Sequence, residues 1–194
     1  MALKLTYYGQ NDSVNSVPDV TLTGDPGTDQ ATLTSYGYLG GKIMAIAAPH
    51  TATSNESVIV PCDPDATLGS TETPVYASGL TTGAGTIPFG VLMNGPGEFA
   101  GAIGPSGSKK APVVRAMFEG NINSEGYDAT IVSSSTHPIV IGQYLYCGSN
   151  TKNNQGLFTS AANASATSIA LGAVGICTHV PTTAEPWLGV ASLL

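Results

Sequence analysis

The chain has 194 residues, of which only 10% are charged, and its net charge is −7 at neutral pH. Globular domains usually carry about 25% charged residues, and six basic side chains are too few to neutralise a nucleic-acid backbone. The same acidic balance disfavours docking on an anionic membrane, so we expect neither nucleic acid nor a membrane as a partner.

The first 40 residues differ in pattern from the rest of the chain. A short apolar strand, Leu3–Tyr8, precedes residues 9–35, where turn-forming residues dominate and no long apolar run occurs. Most of the net negative charge lies within residues 1–73. We therefore predict an N-terminal arm with an acidic loop over residues 1–40. Two interpretations are open for it, a long surface loop and a segment that orders against a neighbouring subunit.

Residues 41–194 are predicted to form a β-rich body. Gly and Pro interrupt nearly every window, which leaves no place for a long helix. Short runs rich in Val, Ile, Leu and Tyr lie between turn residues, as is typical of strands. These runs are 41–47, 58–61, 74–77, 87–93, 112–118, 128–132, 138–147, 169–178 and 187–193. The pattern predicts an all-β fold, a sandwich or barrel-like body of short strands with an extended, loop-rich N-terminal arm and long Gly-rich loops.

Residues 94–111 are predicted to be one of these Gly-rich loops, and their glycines match neither of the common phosphate-binding patterns. Lys109 and Lys110, together with Arg115, form the only basic cluster in the sequence. Two interpretations are open for this cluster, a contact with an acidic partner and a solvated loop tip.

Two parts of the body share a weak internal similarity, about 74–94 and 139–178. Both contain a strand with a tyrosine, a Gly-Leu pair followed by Thr, and an apolar strand with an embedded glycine. A repeated β unit explains this similarity, and so does chance in a chain rich in Gly, Thr and Tyr.

The sequence contains no established catalytic or metal-binding motif. Cys62, Cys147 and Cys177 have no metal-binding spacing and are predicted to be buried reduced thiols in strands, with one disulfide as the alternative. The acidic pair in Asp63-Pro64-Asp65 lacks the other ligands of a calcium loop and is interpreted as a surface turn. We therefore predict no catalytic, cofactor-binding or metal-binding residue and no cofactor.

The three histidines of the chain belong to no known catalytic motif. His50, His137 and His179 are widely separated and are not part of a zinc motif, and no nucleophile elbow occurs. A hydrolase site assembled only in space stays open as a third hypothesis. The main expectation is that the protein is not an enzyme.

Three runs in the second half of the chain support a family resemblance. They are residues 87–94, residues 141–147 followed by 156–160, and residues 174–191. The strands containing Gly142, Leu145 and Tyr146, the following Gly-Leu-Phe-Thr run and the closing Leu-Gly-Val run resemble those of small head decoration (cement) proteins of tailed bacteriophages. The resemblance covers roughly residues 74–194 and contains no catalytic motif.

The resemblance implies a non-enzymatic virion structural protein, made in the host cytoplasm, that binds the exterior of an assembled phage head. Its implied partners are the major capsid protein, whose subunit contacts it stabilises, and its own copies in a homotrimer. The alternative is a receptor- or glycan-binding β module of a tail fibre or cell surface. That alternative predicts an exposed aromatic platform with Trp187 and a tyrosine such as Tyr127.

Overall fold

The computed structural model describes residues 3–8, 12–18, 20, 22–46, 57–66, 85–93, 95–96, 111–115, 118–133, 136, 138–152 and 154–194. Eleven strands dominate these residues, with three short α-helices and one 3-10 turn, Asn150–Lys152. The predicted all-β class is therefore confirmed. The strands are β1 (Leu3–Tyr8), β2 (Asp12–Pro18), β3 (Ile43–Ile46), β4 (Ser57–Pro61), β5 (Pro88–Leu92), β6 (Ala111–Arg115), β7 (Phe118–Ile122), β8 (Tyr144–Cys147), β9 (Phe158–Ser160), β10 (Gly175–His179) and β11 (Leu188–Ser192). The helices are α1 (Pro26–Ser35), α2 (Thr130–Ser133) and α3 (Ala166–Leu171).

The strands form two sheets. Five of them close into a barrel in the order β2-β4-β3-β5-β6, in which only the β2–β4 pair is parallel. The other six form an antiparallel sheet in the order β1-β7-β11-β10-β8-β9, called the C-terminal sheet below. The sequence left a sandwich and a barrel open, and the protein contains one barrel and one open sheet.

The same two segments of the chain pair with each other in both sheets. In the C-terminal sheet, β1 pairs with β7, from Leu3 opposite Ile122 to Tyr8 opposite Phe118. In the barrel, β2 pairs with β6 along the continuation of the same two chain segments. The predicted strand Leu3–Tyr8 is therefore present and occupies an edge of the C-terminal sheet. Residues 1–40 also contribute β2 and α1, while the division into an arm and a body stays a prediction.

Helix α1 was not predicted, and its ends explain why it forms. Asp25 caps the helix by accepting a hydrogen bond from the backbone N–H of Thr28 at 2.7 Å, and Pro26 occupies the first turn, where no N–H is needed. Past the C-terminal end, Gly37 has a φ of 76°, which favours glycine. Leu33 is fully buried and packs against one face of the barrel strands.

Two predicted strands differ in the structure for local reasons, and a third lies outside the described residues. The run 128–132 leads into helix α2 and forms no strand. Its first residue, Asp128, accepts a hydrogen bond from the backbone N–H of Thr130, and this bond starts a turn. The run 169–178 begins within helix α3, capped by Ser165, and becomes strand β10 only at Gly175. The predicted strand 74–77 lies outside the described residues, and so does the part of the proposed internal repeat from 74 to 84. Of the predicted loop 94–111, the structure describes only residues 95, 96 and 111.

One hydrophobic core lies between the barrel and the C-terminal sheet. Alternate residues along a strand point to opposite faces. One set, including Ile43 and Val60, packs in the same cluster as Leu145, Phe158 and Val190 of the C-terminal sheet. The other set packs under α1 and the buried Tyr38. The two sheets therefore share buried side chains.

The three cysteines are free and buried, as predicted. Cys147 and Cys177 lie in β8 and β10, whereas Cys62 directly follows β4. Burial, together with the neighbouring Cys147, raises the pKa of the Cys62 thiol well above its ordinary value. These thiols therefore behave as small apolar core side chains at the junction of the two sheets.

No helix within the described ranges is long and apolar enough to cross a membrane.

Candidate functional site

The buried carboxylate of Asp128 accepts hydrogen bonds through both of its oxygens. Its Oδ1 accepts hydrogen bonds from the backbone N–H and the hydroxyl of Thr130, at 2.9 and 2.7 Å. Its Oδ2 accepts from Thr159 at 2.9 Å, Asn163 at 3.1 Å and Asn154 at 3.3 Å. Burial raises the pKa of this carboxyl, but the hydrogen bonds, led by those from Thr130 and Asn163, outweigh it and hold the pKa below its ordinary value.

Asn154 extends the Asp128 cluster into the neighbouring loop. Its Oδ1 accepts the backbone N–H of Ser149 at 2.7 Å, and its Nδ2 also donates to the carbonyl of Asn163 at 3.2 Å. Both carboxylate oxygens of Asp128 thus point to fixed donors of the same chain. This arrangement joins three loops around β9, so its role is to stabilise the fold.

A second acidic cluster connects the barrel to the C-terminal sheet. Asp63, directly after β4, accepts backbone N–H groups from Asp65 at 3.2 Å and Asn150 at 3.1 Å. Asp65 accepts hydrogen bonds from the hydroxyl of Thr151 and, at 3.0 Å, from the hydroxyl of Ser165, the N-cap of α3. Burial raises the pKa of Asp65, and the hydrogen bonds, first that from Thr151, lower it below its ordinary value overall.

The acidic turn Asp63-Pro64-Asp65 is therefore present, but its predicted surface position is wrong for Asp63. That residue is only 1% exposed, because the turn after β8 covers it. Within the described part of the chain, no group of three or more His, Cys, Asp or Glu side chains is arranged to hold a metal ion.

His179 contacts an aromatic ring and a carboxylate. Its ring stacks on Trp187 with centroids 5.8 Å apart, and its Nε2 lies 3.4 Å from an oxygen of Glu185 without hydrogen-bond geometry. The thiol of Cys177 is directed at the backbone carbonyl of His179 rather than at its ring. The other two histidines, His50 and His137, lie outside the described residues.

The aromatic platform expected of a glycan-binding module is not formed by the two residues named for it. Trp187 is half-buried against His179. Tyr127 is only 6% exposed and belongs to the shared core. The two side chains therefore do not form one exposed surface.

The outer face of the C-terminal sheet carries apolar side chains. Tyr144 of β8 pairs with Ile176 of β10, which pairs in turn with Ala191 of β11, so the three side chains form one row on one face. Tyr144 is 55% exposed, and the other two are half-buried. The outer face of an antiparallel sheet is normally polar, because it meets water.

The turn before β8 adds two more exposed apolar residues. Val140 is 55% exposed and Ile141 is 69% exposed. Gln143 N–H donates to the Val140 carbonyl at 3.1 Å, and Gly142 has a φ of 86°, as the third position of a type II turn requires. The N–H of Gly142 also donates to the backbone carbonyl of Cys177 at 2.7 Å, which holds the turn against β10. Exposed turns usually carry polar residues, so the fold gives no reason for these two side chains.

We call Val140, Ile141, Tyr144, Ile176 and Ala191, with the 43% exposed Leu193 that follows β11, the apolar surface. From Asp128 to the C-terminus, only Lys152 and Glu185 carry a charge besides Asp128 itself. Within the strand row, the first charged neighbour is Glu119 of β7, which pairs with Ala191. The arrangement is suited to contact with another protein surface.

The sequence pattern places these residues in predicted strands but does not indicate the surface. Its available signal was the uninterrupted run Tyr144–Cys147, in which both alternating positions are apolar. Such a run is typical of a strand that is covered on both faces. In the described structure, the outward position Tyr144 stays exposed.

Comparison of the chain with protein-family models, with curated proteins and with solved structures found no match in any of the three. The family expectation therefore rests on the sequence runs quoted for it.

Proposed function

We propose that this protein is a non-enzymatic virion structural protein that binds the outer surface of an assembled phage head and stabilises contacts between major capsid subunits. The observation that carries the proposal is the apolar surface, because a group of exposed apolar side chains on the outside of a domain marks a site of protein contact. The resemblance of residues 87–94, 141–147 and 174–191 to head decoration proteins supplies the class of partner.

The composition of the chain favours this role. A surface with few charges loses little hydration free energy when it is buried against another protein. A decoration protein also binds many equivalent sites on one shell, so modest individual contacts add up to strong retention. Location on the virion exterior and assembly into a homotrimer, both implied by the resemblance, belong to the same proposal and stay predictions.

The internal construction of the protein supports a mechanical function. The barrel and the C-terminal sheet share one core, and the Asp63 and Asp65 hydrogen bonds connect the same two parts. A body braced in this way transmits a load between the capsid subunits that it contacts. This supports a stabilising role in which the body itself changes shape little.

Co-sedimentation with phage heads tests the proposal. Purified protein is mixed with expanded heads that lack it, and with unexpanded heads as the matched control. We expect saturable binding to expanded heads and a rise of several degrees in their melting temperature. Failure to co-sediment with either kind of head, at concentrations that saturate other decoration proteins, would contradict the proposal.

A further inference from the structure

We propose that the apolar surface binds a second copy of this chain through a two-fold symmetric interface. The observation that suggests it is the gradient of side-chain size across the outer face. Along the row from β8 to β10 to β11, the residues are Tyr144, Ile176 and Ala191, which are large, intermediate and small. This inference is separate from the proposed function. A two-fold pair covers the apolar surface in solution, so it must dissociate before that surface contacts a head, and it is an alternative to the homotrimer that the family resemblance implies.

A two-fold axis along β10 makes this row complementary to itself. It places β8 of one copy over β11 of the other, so Tyr144 meets the partner copy's Ala191. The two Ile176 side chains then meet at the axis. Two sheet faces pack about 10 Å apart, a gap that a large side chain fills when it faces a small one. An isologous contact of this kind closes with two copies.

Electrostatics permits a second copy as the occupant. Each chain carries a net charge of −7, so two copies approach each other most easily through a surface that has no charge. The nearest charged residue of the row, Glu119, lies two strands from β10. The axis puts the two Glu119 side chains on opposite sides, about 20 Å apart across four strand spacings. That separation exceeds the screening length of about 10 Å at moderate salt.

The composition of the apolar surface gives no basis for selecting a charged partner. The surface contains no basic or acidic side chain, so neither an anionic nor a cationic partner gains specificity from it. The homotrimer implied by the family resemblance has a different number of copies. The two arrangements are therefore distinguished by mass.

Light scattering after size exclusion, across a wide range of protein concentrations, tests the inference. We expect a mass approaching twice 19.6 kDa as the concentration rises. Tyr144→Asp is expected to weaken the association at least tenfold. The matched control is Ile87→Asp, which adds the same charge at a 65% exposed isoleucine before β5 of the barrel, and it should associate as the parent does. Circular dichroism checks that both variants are folded.

A size exchange tests the two-fold arrangement itself. Tyr144→Ala should weaken the association without adding charge, and combining it with Ala191→Tyr should restore the association by reversing the gradient. A monomer at all concentrations, a trimeric mass, or equal effects of Tyr144→Asp and Ile87→Asp would each overturn the inference. Head co-sedimentation is measured separately, so the proposed function is tested by a different result from the mass of the free protein.

Discussion

At the residue scale, Asp128 shows how a charged group becomes part of a β core. Its two oxygens accept five hydrogen bonds from four residues, Thr130, Asn154, Thr159 and Asn163. Four residues of this cluster come from segments within residues 128–163, so the loops around β9 depend on one side chain. Removing the carboxylate leaves several donors in the interior without an acceptor.

We predict that Asp128→Ala lowers the free energy of unfolding by about 3 kcal/mol, because each hydrogen bond to a charged group contributes roughly 1.5–3 kcal/mol and the losses are not additive. Denaturant unfolding at neutral pH measures the change. Glu125→Ala, at an exposed carboxylate on the neighbouring turn, is the control and should change stability by less than about 0.5 kcal/mol. Equal losses in the two variants would show that the Asp128 cluster is dispensable.

The same carboxylate determines part of the response to acid. Its pKa is lower in the folded protein than the ordinary value of 3.8, so its stabilising contribution is complete above that value. The contribution is lost as the pH falls through the folded pKa. Parent stability should therefore decline below about pH 4, and it should decline less steeply in Asp128→Ala. Unchanged acid dependence in the variant would assign the decline to other groups, such as Asp65.

At the scale of elements, strand β5 depends on a close approach to β6. A Cβ atom added at Gly90 would lie 2.6 Å from Cγ1 of Val113 and 2.6 Å from the carbonyl oxygen of Val114. The second of these is backbone, which moves only if the ladder of the barrel shifts. Gly90 therefore matters for the space it leaves rather than for its backbone angles.

We predict that Gly90→Ala lowers the free energy of unfolding by about 1–3 kcal/mol, the usual range for overpacking a core. Gly95→Ala is the matched control, since no atom lies within 4 Å of its added Cβ. Thermal unfolding of the two variants measures the difference. A stable Gly90→Ala protein would mean that β5 and β6 separate at little cost.

Elements also show where sequence patterns are sufficient and where they are not. The runs that became β3, β4, β5, β8 and β11 are short and apolar between turn residues, so their strands were predicted. Strand β2 and helix α1 have no such run. They form because β6 offers a pairing edge and because Asp25 caps the helix while Leu33 finds a buried site. The pairing edge and the buried site come from distant parts of the chain, whereas the Asp25 cap is local.

At the scale of the whole molecule, the shared core makes the barrel and the C-terminal sheet one folding unit. Val60 of the barrel and Leu145 of the C-terminal sheet lie in the same buried cluster. The consecutive strands β1 and β2 pair with β7 in one sheet and with β6 in the other. Neither sheet retains a complete core when the other unfolds.

We predict a single cooperative thermal transition, in which the calorimetric and van't Hoff enthalpies agree. Leu145→Ala, which deletes a fully buried side chain, should lower the free energy of unfolding by about 3 kcal/mol without splitting that transition. Differential scanning calorimetry measures both quantities. Two resolved transitions, in the parent or in the variant, would show that the barrel and the C-terminal sheet unfold independently.

The sequence by itself determined the β class, because Gly and Pro limit every apolar run to the length of a strand, and it determined the burial of the three thiols, because each lies among apolar neighbours. Only the tertiary structure decided which apolar residues stay exposed. Tyr144 and Leu145 are adjacent in an apolar run, yet they point to opposite faces of β8, and the barrel covers only one of them. The cover includes barrel residues as distant in the sequence as Ile43 and Val60, and no local pattern encodes it.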